Sequence, residues 1–150
     1  MVKLSSINDF FSCKNYAFIG ISSSGDKFSN SLYEELKKKN FTLFPVNPNI
    51  NEYEEDKCYE NVKDIQENIE GAIILTPKIQ TELIIKDCLS KGIKHIWIQQ
   101  GAENDDAIKY AKENNINVIY KECVFMYAEP VTSIHAFHRW FKKLFGKYPK

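Results

Sequence analysis

Three consecutive serines, Ser22, Ser23 and Ser24, run into Gly25, Asp26 and Lys27 between an apolar stretch and an amphipathic one. Serine hydroxyls donate hydrogen bonds, glycine lets the backbone turn tightly, and lysine supplies a point charge. Where a buried strand hands over to a helix, such a loop meets an anion with unpaired N–H groups and the positive end of the helix dipole. The chemistry this favours is capture of the phosphates of a nucleotide-type ligand. A capped connection with no ligand is the alternative. The loop has no dinucleotide-type glycine pattern, and Asn47 and Pro48 stand where an NAD site needs Asp or Glu after the second strand. It has no nucleotide-hydrolase phosphate loop either, so ATP or GTP hydrolysis has no support.

Other reactive side chains form weaker patterns. Cys13, Cys58, Cys88 and Cys123 are far apart and make no metal-type pair, so free thiols in a reducing cytoplasm are expected. Cys123 reads as a buried thiol just after the fifth strand, with a redox or mixed-disulfide role as the alternative. His135 and His138 lie one helical turn apart, but no third ligand is near them in sequence, and a half-exposed helix face is the simpler reading. No nucleophile, general base or metal set stands at the strand ends, so no catalytic group is expected.

The elements that must position the serine loop alternate along the chain. Tyr16, Ala17, Phe18, Ile19, Gly20 and Ile21 form a short apolar run, as in a strand buried on both faces. Phe28, Leu32 and Leu36 then recur at helical spacing, and Asn40 is a reasonable stop. Phe41, Thr42, Leu43, Phe44, Pro45 and Val46 make the second strand; Pro45 lacks a donor, so this strand should end early or sit at an irregular point. Residues 50–60 read as an exposed acidic loop, and residues 62–66 as a short helix. Ala72, Ile73, Ile74 and Leu75 are the third strand, after which Thr76 and Pro77 suit a helix entry running to Gly92.

His95, Ile96, Trp97 and Ile98 are the fourth strand. Glu103, Asp105 and Asp106 place negative charge at the start of the next helix, where the macrodipole favours it. Residues 116–120 are the fifth strand. A last helix over about residues 131–144 carries Ile134, Phe137, Phe141 and Leu144 on one stripe, and the segment at residues 4–11 reads as a small helix packed on the sheet.

Strands alternating with helices through short connections make a parallel sheet with right-handed crossovers. The expected fold is α/β: a doubly wound, five-stranded parallel sheet in the order 3-2-1-4-5, with helices on both faces. One domain is expected over residues 1–150, its core at about 15–123, since 150 residues fit a single ordinary core. In such a sheet the ligand binds outside the carboxyl ends of the strands, where strand order reverses.

Composition narrows the partners. Lys and Arg total 20 against 20 Asp and Glu, a formal net charge of zero, which lacks the footprint of a protein that grips nucleic acid. Basic residues do gather near the end (Arg139, Lys142, Lys143, Lys147, Lys150), where a solvated helix face is the simpler reading. No stretch reaches the roughly 20 apolar residues of a membrane span. Asn8 and Asp9 interrupt anything like a signal peptide, and a cytoplasmic protein is expected.

Several segments in order resemble the small stand-alone CoA-binding proteins, which share the Rossmann-like CoA-binding domain of the succinyl-CoA synthetase α subunit. The carriers begin with Phe18, Ile19, Gly20, Ile21 and Ser22, then Lys27, Phe28, Ser29 and Asn30. Pro45 to Asn49, Leu75 to Pro77 and Ile96 to Glu103 follow, and Cys123, Val124, Phe125, Met126, His138 and Arg139 close the pattern. The resemblance implies that Ser22, Ser23, Ser24 and Gly25 hold the diphosphate, with Lys27 adding charge, and that Gly20 and Phe28 belong to the same cofactor-binding set. It implies that Asn47 and Pro48 line an adenosine pocket, and that Thr76 and Pro77 flank the pantetheine arm. Ile98, Gln99 and Gln100 match a segment that contacts the coenzyme after the fourth strand. Ile21 departs from the family's usual Ala, which puts a larger side chain beside the diphosphate. The implied function is non-catalytic binding of coenzyme A or an acyl-CoA. The competing readings are an NAD(P)-binding oxidoreductase and a ligand-free interaction module. A homodimer through the C-terminal helix is a further expectation, with Trp140 either at the contact or packed within the chain.

Overall fold

The apolar run near residue 16 forms a strand whose side chains alternate between two cores. Ala17 and Ile19 face one cluster and Tyr16 and Phe18 the other, as the two-residue period of a strand requires. This strand is β1 (Asn15–Ile19), and its computed structural model describes residues 2–130 and residue 149 of the chain. Around it stand α1 (Leu4–Phe11), α2 (Phe28–Lys38), β2 (Thr42–Val46), and a short ribbon of β3 (Glu52–Tyr53) and β4 (Asp56–Lys57). They are followed by β5 (Gly71–Ile74), α3 (Thr81–Ser90), β6 (His95–Gln99), α4 (Asp105–Glu113) and β7 (Asn117–Glu122).

The five main strands form one parallel sheet, with α3 and α4 on one face and α1 and α2 on the other. The doubly wound α/β class is therefore as expected. The strand order is not. The sheet runs β2-β1-β5-β6-β7, so the third main strand pairs with the first, Tyr16 opposite Gly71 and Ile19 opposite Ile74. Counted along the main strands this is 2-1-3-4-5, in place of 3-2-1-4-5. Pro45 supplies the reason. It sits mid-strand in β2 opposite Phe18 and has no N–H to offer a strand on the far side. Proline confines β2 to the edge, and its outer side is met by Tyr59, whose N–H donates to the Pro45 carbonyl at 2.9 Å. Gly71 lets β5 close on the other side of β1. A Cβ there would lie 2.7 Å from the Tyr16 ring.

Residues 50–60 are not a plain acidic loop. They hold the β3–β4 ribbon, and Tyr33 on α2 donates to the Asp56 carboxylate at 2.5 Å while Lys37 lies 2.9 Å from it. The helix expected at residues 62–66 is a single 3-10 turn, Val62–Asp64. Thr76 and Pro77 belong to the loop before α3, which begins at Thr81. Trp97 is buried as expected, and its indole N–H donates to the Glu122 carbonyl. Cys123 is half-buried directly after β7, and all four cysteines are free thiols. Among the described residues no helix is long and apolar enough to cross a membrane. The expected last helix, with His135, His138, Arg139 and Trp140, lies outside the described residues.

Candidate functional site

Gly20 ends β1 at a φ of +106°, a conformation that L side chains rarely adopt. A Cβ there would lie 3.0 Å from the main-chain atoms of Leu75 and Thr76. The ends of β1 and β5 thus touch, and only glycine lets the chain pass between them into the serine loop. The change of winding direction falls between these two strands, which is where an open α/β sheet leaves its ligand crevice.

Beyond Gly20 the loop is tied down from α2. Asn30 donates from its side chain to the Ser22 carbonyl at 2.9 Å, and its amide oxygen accepts from Lys27 N. Ser29 Oγ accepts from Ser22 N at 3.1 Å. The hydroxyls of the exposed rim form a relay. Ser24 donates to Asp26 at 2.6 Å, so Ser22 is the donor across the 2.9 Å Ser22–Ser24 contact. Ser23, Gly25 and Lys27 are exposed at the same rim, just ahead of the first turn of α2.

Asn47 follows β2 and reaches across to this loop. Its Nδ2 donates to the Ile21 carbonyl at 2.6 Å, and its Oδ1 accepts from Asn49 N at 2.7 Å. Behind it Cys58 donates weakly to the Asn47 carbonyl, and burial pushes that thiol above its ordinary range. Asn47 therefore has its polar atoms engaged in holding two strand ends together.

Between these ends and α3 lies a cleft of about 820 Å³, a size typical of small-molecule sites. Gly20, Asn47, Pro48, Thr76 and Pro77, all expected at the site, line it. The Thr76 hydroxyl is buried there without a hydrogen-bond partner among the described residues. Ser22, Ser23, Ser24, Gly25 and Lys27 are not part of this lining and form the rim of the adjoining loop. Phe28 opens α2 half-exposed, its ring edge-on to Phe125 at 5.7 Å.

The fourth-strand trio divides. Ile98 is buried in the core cluster shared with α3 and α4, and Gln99 is buried with its amide oxygen accepting from Val124 N at 3.1 Å. Only Gln100 is exposed.

The sequence reading missed the far wall. Asn61, Lys63 and Asp64 come from the 3-10 turn and the residue that caps it, Gln80 caps α3, and Leu83, Ile84 and Asp87 lie on α3. The three α3 residues follow one helical face, while Thr81, Ile85 and Cys88 face the core. Spacing marks such a second face, but only the packing says that it meets a cleft. Leu83 is 65% exposed. Lys63 lies 3.0 Å from Asp87, whose other oxygen accepts from Asn61.

A five-stranded doubly wound parallel sheet with helices on both faces defines a Rossmann-like α/β fold. Residues 14–129 match the model of the CoA binding domain, and the chain belongs to that family. An ADP-forming acetate–CoA ligase of Methanocaldococcus jannaschii is 31% identical over 119 residues, covering 74% of this chain and 17% of the ligase. The uncharacterized protein YneT of Bacillus subtilis is 26% identical over 111 residues, covering 74% of this chain and 82% of its own. A hypothetical protein from Pyrococcus horikoshii superimposes with a TM-score of 0.78 at 26% identity, over 87% of this chain and 92% of that one. The chain thus spans less than a fifth of the ligase's length.

Proposed function

We propose that this chain binds coenzyme A or an acyl-CoA without transforming it, in the crevice between the serine loop and the ends of β2 and β5. The observation that carries this reading is the cleft itself. Residues from the ends of β1, β2 and β5 line it, in a chain that belongs to the CoA binding domain family.

Ser22, Ser23, Ser24, Gly25 and the first turn of α2 hold the diphosphate, and Lys27 adds a mobile charge beside it. The adenosine lies against Asn47 and Pro48. The pantetheine arm passes Thr76 and Pro77, where the unpaired hydroxyl finds a partner, and then Gln100. Ile98 and Gln99 act from behind, by fixing the end of β6. The cleft's half-buried carboxylate, Asp87, is committed to Lys63 and Asn61, which supports binding over acid–base chemistry. Residues 1–150 act as one module in the cytoplasm, and two copies pair through residues 131–144; size-exclusion chromatography with light scattering reads that pairing.

Thermal shift with CoA, acetyl-CoA, NAD and ATP in parallel tests the ligand. At a hundred times its dissociation constant a ligand raises stability by about 2.7 kcal/mol. A shift with the CoA species alone is expected. A shift with NAD alone would replace this reading with the oxidoreductase one, and a flat response to all four would leave the loop as a structural connection.

A further inference from the structure

The cleft beside the serine loop is acidic. Glu60, Asp64 and Asp87 line it against one cation, Lys63, whose ammonium is already matched by Asp87 at 3.0 Å. Asp64 accepts from Asn61 N at 3.0 Å, a bond that orients its carboxylate without neutralising it. Among the described residues neither Glu60 nor Asp64 forms an ion pair. The strand end facing them, Asn47, Pro48 and Asn49, is uncharged. Lys27, the cation of the serine loop, is not part of this lining and stands just ahead of α2.

This distribution bears on which nucleotide fits, given the CoA reading above, on which the inference rests. With the diphosphate at the serine loop and the adenosine against Asn47 and Pro48, the ribose enters the acid-lined half of the cleft. Coenzyme A carries its extra phosphate on the ribose 3′ oxygen. A doubly charged group there meets the exposed carboxylates of Glu60 and Asp64, and like charges a few ångströms apart repel even where water screens them. We infer that this site disfavours the 3′-phosphate of its ligand, so that dephospho-CoA binds more tightly than CoA.

The test is calorimetric titration of the full chain with CoA and dephospho-CoA at low and at high salt. Dephospho-CoA is expected to bind about threefold to tenfold more tightly at low salt, with the ratio falling toward one as salt screens the repulsion. Glu60→Lys is expected to reverse the preference, and Glu60→Gln with Asp64→Asn to abolish it. Glu60 is exposed, and Asn at 64 keeps an acceptor for Asn61, so ligand-free melting temperatures should stay within a few degrees of the parent. Equal or tighter binding of CoA by the parent chain overturns the inference and leaves the CoA reading standing. So does a ratio that Glu60→Lys does not move. Binding of neither compound overturns both.

Discussion

Asn47 and Ile21, 26 positions apart, are joined by a 2.6 Å hydrogen bond from the Asn47 amide nitrogen to the Ile21 carbonyl. The bond ties the end of β2 to the start of the serine loop, and the other end of the same side chain caps Asn49 N. An Asp at this position, as NAD sites use, would turn an acceptor toward the Ile21 carbonyl in place of a donor.

Asn47→Ala is accordingly expected to cost about 1–3 kcal/mol, since it strands a part-buried carbonyl. Asn47→Asp should cost a similar amount by setting two acceptors against each other. Urea denaturation measures both. A loss under about 0.5 kcal/mol in the two variants would mean that the strand ends hold together without this bond.

Gly20→Ala places a Cβ 3.0 Å from the main chain of Leu75 and Thr76 at a φ of +106°. The neighbours are backbone atoms of the adjoining strand end and cannot swing aside. Strain of about 1–3 kcal/mol is expected from the dihedral alone, with contact strain added. The ligand-induced thermal shift should also shrink, because β1 and β5 must part at the crevice. A fully stable variant with an unchanged shift would contradict the close approach.

Asp26 and Lys27 should act in opposite directions on ligand affinity. The Asp26 carboxylate accepts the Ser24 hydroxyl at the loop rim, so an incoming phosphate competes with it for the same donor. Asp26→Asn is expected to tighten CoA binding a few-fold, and Lys27→Ala to weaken it by about 1 kcal/mol, both effects fading at high salt. Titration calorimetry at two ionic strengths reads them. Equal changes of the same sign would exclude the loop as the phosphate site.

Tyr33→Phe removes the 2.5 Å donor to Asp56 that anchors the β3–β4 ribbon on α2. A hydrogen bond to a charged group is worth about 1.5–3 kcal/mol, so a stability loss of that order is expected in chemical denaturation. Hydrogen exchange should rise first at the ribbon. If the global stability were unchanged, Lys37 alone would suffice to hold Asp56.

Stability at alkaline pH follows the thiols. Burial pushes Cys13 up to about 11, with Glu70 adding to it, and burial also raises Cys58 and Cys88. The fold keeps these thiols protonated where the unfolded chain releases their protons. The raised values mean that stability is whole below the ordinary thiol value of 9.0 and declines as pH climbs from there toward 11. Urea midpoints should hold steady from pH 7 to about 8.5 and fall above 9. A midpoint that rose over that interval would reverse the sign.

Much of this protein is legible in one dimension. The apolar run of β1, the Asn40 stop, the serine loop and the positions of the strand ends follow from periodicity and turn chemistry, because those signals are local. The helix extents are less legible, since Thr76 and Pro77 look like a helix entry while the chain first spends a loop there. The ribbon at residues 50–60 escapes notice because its two-residue strands are held by Tyr33 and Lys37, far away in sequence.

What the sequence by itself determined is the class of element at each position and the polar chemistry of the serine loop. Only the tertiary structure decided the strand order, through Pro45 at an edge and Gly71 beneath the Tyr16 ring. With that order came the placement of the crevice between β1 and β5, the second face of α3 as its wall, and the retirement of Ile98 and Gln99 into supporting roles. The physical reason is that each of these depends on which surfaces meet across the sheet. A local pattern of side chains fixes which faces are apolar and leaves open what they will pack against.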